Sequence, residues 1–134
     1  MTKDLNDNFP KNLDDAIEIL KFVYADDLQE IKDVSEDEFS TIAHHNLGAY
    51  IRNSWQLWWQ ENHGYEQWSK EKPKLNAWFN SIGIYHADDM STIILDCLHK
   101  NLNNKPYEID KQAKHYIKYW KKEGFKNGNP FTKK

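Results

Sequence analysis

Arg52 is the only arginine among the 18 basic residues of the chain; all the others are lysine. A guanidinium presents a rigid planar fork of donors that an ammonium cannot copy, so position 52 demands bidentate or stacked geometry and not charge alone. It sits in the run Leu47-Gly48-Ala49-Tyr50-Ile51-Arg52-Asn53-Ser54-Trp55-Gln56-Leu57-Trp58-Trp59, which also holds three of the six tryptophans. A second cluster, Gly83-Ile84-Tyr85-His86-Ala87-Asp88-Asp89-Met90-Ser91, sets a histidine, two carboxylates and a hydroxyl in one helix-start loop. Either Asp88 or Asp89 is needed there as the helix cap. The other is the natural partner of Arg52, in a bidentate pair that would lock the loop onto the helix. The candidate binding residues are therefore Arg52, Asn53, Trp55, Trp59, His44, His86, Asp88 and Asp89.

Two kinds of chemistry suit these residues. Tryptophan, tyrosine and arginine carry much of the energy of protein interfaces. Trp55 and Trp59, with Tyr65 and Trp68 further on, could form a patch by which a compact acidic domain caps a toxin-like partner, as immunity proteins do. In the alternative, a small-ligand or enzymatic site, Arg52 grips an anion and His86 shuttles protons, with Asn53 and Asp89 beside them. The first reading expects Trp55 largely buried and part of Trp59, Trp68 or Tyr65 exposed. The second expects a watered pocket where the two blocks meet. A nucleophilic triad of Ser91, His86 and Asp89 lacks the strand-to-helix elbow such a serine needs. His44, His45, His86, Asp89 and His99 are the candidate metal ligands, but adjacent His44 and His45 point about 100° apart on a helix. No HxxxH or HExxH spacing is present, so neither a metal site nor a cofactor is expected.

The elements that must position these residues read as helices throughout, with no strand-like alternation. Asn12 caps a first helix with Leu13, Ile17, Leu20 and Tyr24 in phase. Leu28, Ile31 and Val34 mark a short second one. Ser35 and Glu38 form a capping box that opens a long helix carried to about Asn62. At about 100° per residue, Phe39, Ala43, Leu47, Tyr50, Ser54, Leu57 and Trp58 form its core face. His45, Gly48, Arg52, Trp55 and Trp59 fall opposite, with His44 at the edge. A glycine inside a helix costs about 1 kcal/mol against alanine, so Gly48 predicts a close approach one turn before Arg52: a crossing helix, or a ligand.

A polar loop spans His63 to Lys74. Pro73 then starts a helix through Trp78 and Phe79 that Gly83 ends. The Asp88/Asp89 helix carries Met90, Ile93, Ile94, Cys97 and Leu98 inward and stops at Asn103-Asn104-Lys105-Pro106. A last amphipathic helix runs from about Glu108 to Glu123. Gly124 closes it ahead of a tail expected to be flexible. The expectation is an all-α single domain of about six helices around the long helix, ordered over about 10–124.

A chain of 134 residues suits one domain that buries roughly two-thirds of its unfolded surface. Net charge is −3, with acids and lysines interspersed, so there is no basic stripe for a phosphate backbone and nucleic-acid binding is not expected. No stretch approaches the roughly 20 apolar residues of a membrane span, and the N-terminus has no apolar leader, which points to the cytoplasm. The single cysteine, Cys97, reads as a small core hydrophobe. Oligomeric state is not legible.

The blocks His44-x-x-Leu47-Gly48-x-x-Ile51-Arg52-Asn53-x-Trp55-x-Leu57-Trp58 and Gly83-Ile84-x-His86-x-Asp88-Asp89-Met90-Ser91-x-Ile93-Ile94-Leu95, followed by Leu102-Asn103, resemble a family of small uncharacterised bacterial helical domains. The resemblance runs from about Pro10 to Lys105. It implies a small helical cytoplasmic domain and no particular activity.

Overall fold

A computed structural model describes residues 3–59 and 70–132 of the chain. Trp68, Tyr65 and most of the loop expected at His63 to Lys74 lie outside the described residues. Among those described, all regular structure is helical: α1 (Leu13–Val23), α2 (Leu28–Asp33), α3 (Glu36–His45), α4 (Leu47–Ser54), α5 (Lys74–Ser81), α6 (Ala87–Leu102) and α7 (Ile109–Lys122), with short 3-10 turns at Leu5–Asp7 and Ala25–Asp27. Local signals set most of the boundaries. The Asn12 side chain accepts from the Asp15 N–H at 2.9 Å, and Ser35 Oγ accepts from the Glu38 N–H at 3.2 Å. Gly83 and Gly124 take left-handed φ of 88° and 105° just past α5 and α7.

The long helix expected over 36–62 is instead two helices, broken at Asn46 and finished by Ser54. Asn46 has φ −100° and ψ −83°, outside helical geometry, and its side-chain amide donates to the Ile42 carbonyl at 3.1 Å. Asparagine competes for backbone groups in this way, which is why it favours helix ends over interiors. The break also turns the second segment. Gly48, Ile51, Arg52, Ser54 and Trp55 face inward on α4 and its C-cap, whereas Tyr50 is exposed. The Arg52–Trp55 face expected opposite the core is therefore part of the core.

The central element is α6. Ala87, Met90, Ser91, Ile93, Ile94, Leu95, Cys97, Leu98 and His99 are all buried, so the helix is covered on nearly every side. Helices α1, α2, α3 and α4 pack on it directly. A helix buried all round belongs at the centre of a bundle. From the far side α7 adds Ala113 to the core, and the Trp120 indole N–H donates to Asp89 at 2.9 Å. The tail crosses back over α7: Gly128 is buried, and a Cβ there would sit 3.0 Å from Ile117.

Candidate functional site

Arg52 is 8% exposed and spends its fork on three groups from two helices. Nη1 donates to Ser91 Oγ at 2.8 Å, Nη2 donates to the His44 carbonyl at 3.2 Å, and Nε lies 3.4 Å from Asp88 Oδ1. The bidentate pair expected from the sequence is thus replaced by one donor for each partner. The break at Asn46 is the reason. It exposes the last carbonyls of α3, which have no partner within that helix, and the guanidinium satisfies that of His44 while placing its charge at the negative end of the helix dipole. A lysine ammonium would have to reach the same three acceptors from a single nitrogen.

Gly48 makes room for this. A Cβ at position 48 would stand 2.9 Å from Arg52 Nη1 and 3.2 Å from the Ala43 carbonyl oxygen. The close approach signalled by the glycine is therefore made by the chain's own arginine and by the end of α3.

Asp88 and Asp89 are neighbours with different surroundings. Asp88 faces Arg52, and its carbonyl accepts from the Ser91 and Thr92 hydroxyls at 3.1 and 2.8 Å. Neither aspartate caps α6, contrary to the sequence reading. The cap is His86, whose Nδ1 accepts from the Asp88 N–H at 3.1 Å. That bond needs a bare Nδ1, so the 3.9 Å approach of Nδ1 to the Asp88 carboxylate is not an ion pair in this tautomer. Asp89 turns away from Arg52 and accepts from Trp120. Burial raises its pKa against the pull of that hydrogen bond.

The His86 ring is held among aromatics. Trp120 and Phe131 lie nearly parallel to it, at 5.6 and 5.9 Å between centroids, and Trp58 meets it edge-on at 5.2 Å. Trp58 (38% exposed), Tyr119 (49%) and Phe131 (46%) keep large surfaces in water. Beside them a cleft of about 340 Å³ opens between the start of α6 and the second half of α7, lined by His86, Asp89, His115, Tyr116, Tyr119 and Trp120 among others. Burial and the carboxylates of Asp89 and Asp96 push the Tyr116 phenol up to about 12.

The other singled-out residues disperse. Trp55 is 1% exposed, and its indole N–H is shared between the Leu5 and Asn8 carbonyls at 3.1 and 2.9 Å, pinning the N-terminal turn. Trp59 is half-buried with Lys72 over its ring, and Asn53 is exposed on the outer side of α4. His44 contributes its carbonyl to Arg52, while its ring sits edge-on to His45. His99 is buried against Phe39, with Nε2 2.7 Å from the Val34 carbonyl. Among the described residues, no three His, Cys, Asp or Glu side chains gather as a metal-holding group. Burial raises the Cys97 thiol to about 12, so it stays protonated.

Sequence reasoning missed Tyr119 and Phe131 altogether and placed Trp58 in the core. The crowding of Tyr116, Tyr119 and Trp120 on one helix is the signal that points to Tyr119. Nothing local places Phe131 over His86.

The family described as a domain of unknown function, DUF6794, matches residues 9–102, and the chain belongs to it. The matched span runs through both blocks, from just ahead of α1 to the end of α6. Neither a curated protein nor a solved structure matches the chain. No helix among the described residues is long and apolar enough to cross a membrane.

Proposed function

We propose that the chain is a non-enzymatic protein-binding module of the immunity type, acting in the cytoplasm and docking through the aromatic surface around His86. The observation that carries this reading is the exposure of Trp58, Tyr119 and Phe131 together beside one cleft. Grouped large rings left in water are characteristic of interaction sites, and tryptophan and tyrosine are preferred anchors there. The Arg52 cluster supports the same conclusion from the other side. Its donors are directed at groups of the chain itself, and the residue is buried. An anion-gripping site built on Arg52 and Asn53 thus has little to recommend it, and His86 offers its Nδ1 to a backbone N–H and not to a substrate.

The test is affinity capture from the native host with the full chain, followed by identification of the partner and reconstitution with purified components. Binding should fall at least about tenfold in Trp58→Ala combined with Phe131→Ala, since a hot-spot ring is worth roughly 2 kcal/mol or more. It should survive Asn53→Ala. A partner held equally well by the double variant would overturn the proposed surface.

A further inference from the structure

Asp89 is the one carboxylate of α6 with no cation within ion-pair distance among the described residues. Asp88 faces Arg52 at 3.4 Å, and Asp96 faces Lys100 at 2.7 Å. Asp89 accepts from a neutral donor, the Trp120 indole at 2.9 Å, and is half-buried in a cleft walled by aromatic rings, with Asp88 and the imidazoles of His86 and His115 also on its lining. A carboxylate in such surroundings is poorly hydrated and gains more from a counter-ion than an exposed one does. The ring faces beside it attract the same kind of group, since cations sit favourably over tryptophan and tyrosine.

Resting on the reading of the chain as a protein-binding module, we propose that this cleft receives a single basic side chain, arginine or lysine, presented by the partner protein. Asp89 supplies the counter-charge, Tyr119 and Trp120 supply the walls, and Trp58 and Phe131 lie against the partner surface around it. At about 340 Å³ the cleft is large enough to take an extended arginine or lysine side chain. Its open mouth suits a group delivered from a surface. Lys114, Lys118, Lys121 and Lys122 are exposed along α7. They repel a polybasic segment, so the favoured occupant is a lone basic residue with neutral or acidic neighbours.

Three blocked tripeptides serve as probes: glycine-arginine-glycine, glycine-lysine-glycine, and glycine-citrulline-glycine, in which the side chain keeps its shape without the charge. The reporter is the Trp120 indole N–H resonance of the full chain, which reads the Asp89 hydrogen bond directly. The arginine or lysine peptide should shift this signal saturably, with the citrulline peptide roughly tenfold weaker or more, the usual scale for losing one charge-assisted contact. Asp89→Asn, which keeps an acceptor for Trp120, should lose the charged peptides by a similar factor. Asp26→Asn, at an exposed carboxylate in the 3-10 turn before α2, should bind them as wild type does. Equal binding of citrulline, unchanged affinity in Asp89→Asn, or equal loss in Asp26→Asn each overturns the assignment. The broader reading fails separately: a partner lost on Trp58→Ala/Phe131→Ala but kept by Asp89→Asn removes the basic side chain and leaves the docking surface. A partner indifferent to both variants removes the two together.

Discussion

Asp88 and Asp89 sit next to each other in the first turn of α6, yet one faces the arginine of α4 and the other turns away from it towards α7. Around Asp88, charge is consumed within the chain: Arg52 joins it to Ser91 and to the end of α3. Around Asp89, burial disfavours the ionised form, and the carboxylate accepts from a neutral indole. A charged group paired with an internal cation holds elements in place. One left desolvated with a neutral donor and no cation in ion-pair contact is a cost to the fold that function can explain. Substitutions in the two regions should therefore behave in opposite ways.

The largest effect is expected at the closed cluster. Arg52→Ala leaves Ser91, the His44 carbonyl and Asp88 without their donor; the two charge-assisted hydrogen bonds, at about 1.5 kcal/mol each, should together cost about 3 kcal/mol, and Asp88, with its side chain 45% exposed, adds little. Thermal or urea unfolding should show Arg52→Lys in between, because one ammonium can replace only part of the fork. If Arg52→Lys unfolds together with wild type, the three-way geometry is unimportant and the contrast with Asp89 collapses. Gly48→Ala comes next. Alanine gains about 1 kcal/mol of helix propensity, but its Cβ would press on a pinned guanidinium and on a backbone carbonyl at 2.9 and 3.2 Å. Overpacking should win by about 1 to 2 kcal/mol. A Gly48→Ala protein more stable than wild type would mean that Arg52 shifts aside freely.

How much of this could be read from the chain depended on the range of the forces involved. Asn12, Ser35, Pro73, Gly83 and Gly124 act on their own neighbours, and the helix ends they mark are found where the sequence places them, within a residue or two. Asn46 was just as local a signal, but the apolar phase carried through it and hid the break. An unbroken helix sets Arg52, Gly48 and Trp55 opposite Phe39 and Ala43, and the break is what brings them to the same core, where Trp55 is buried as expected. The pairing of Arg52 with the start of α6 was legible from charge scarcity, because one arginine facing two aspartates leaves few choices. Its split over Ser91 and His44 was not, since the free carbonyl exists only once the helix breaks. Phe131 over His86 depends on the tail folding back across α7, a long-range packing event with no local cause.

The third α6 carboxylate sharpens the comparison at smaller scale. Lys100 Nζ lies 2.7 Å from both Asp96 and Glu36 and so ties α6 to the start of α3. The hydrogen-bonded Asp96, then Lys100, hold the Glu36 carboxyl down at about 2, from an ordinary 4.5. A depressed folded-state pKa contributes stability that is present above 4.5 and disappears as pH falls towards 2. Glu36→Gln should therefore remove part of the acid-induced loss across that window and cost less than about 1 kcal/mol at neutral pH, since solvent screens the half-exposed Glu36. Burial raises Asp96 and acts with the opposite sign, so the informative quantity is the difference between wild type and Glu36→Gln in denaturant midpoints along the pH series.

The smallest effect on stability, and the most telling, is expected at Asp89. Its folded-state pKa is raised, with burial as the leading cause. The stability it contributes is therefore fully present below the unfolded pKa, near 3.8, and is lost as pH rises through the higher folded value. Asparagine keeps an oxygen for the Trp120 indole and removes the charge that burial opposes. Asp89→Asn should then be indistinguishable from wild type in acid and should match or exceed it at neutral pH, by no more than about 1 kcal/mol. Denaturant unfolding at about pH 3 and pH 7, one below the unfolded pKa and one above it, decides this. A clear loss of stability at neutral pH would show that the fold needs the Asp89 charge as it needs Arg52. A neutral or stabilising result, beside the destabilised Arg52 variants, is the pattern expected when one carboxylate serves the structure and its neighbour is kept for a partner.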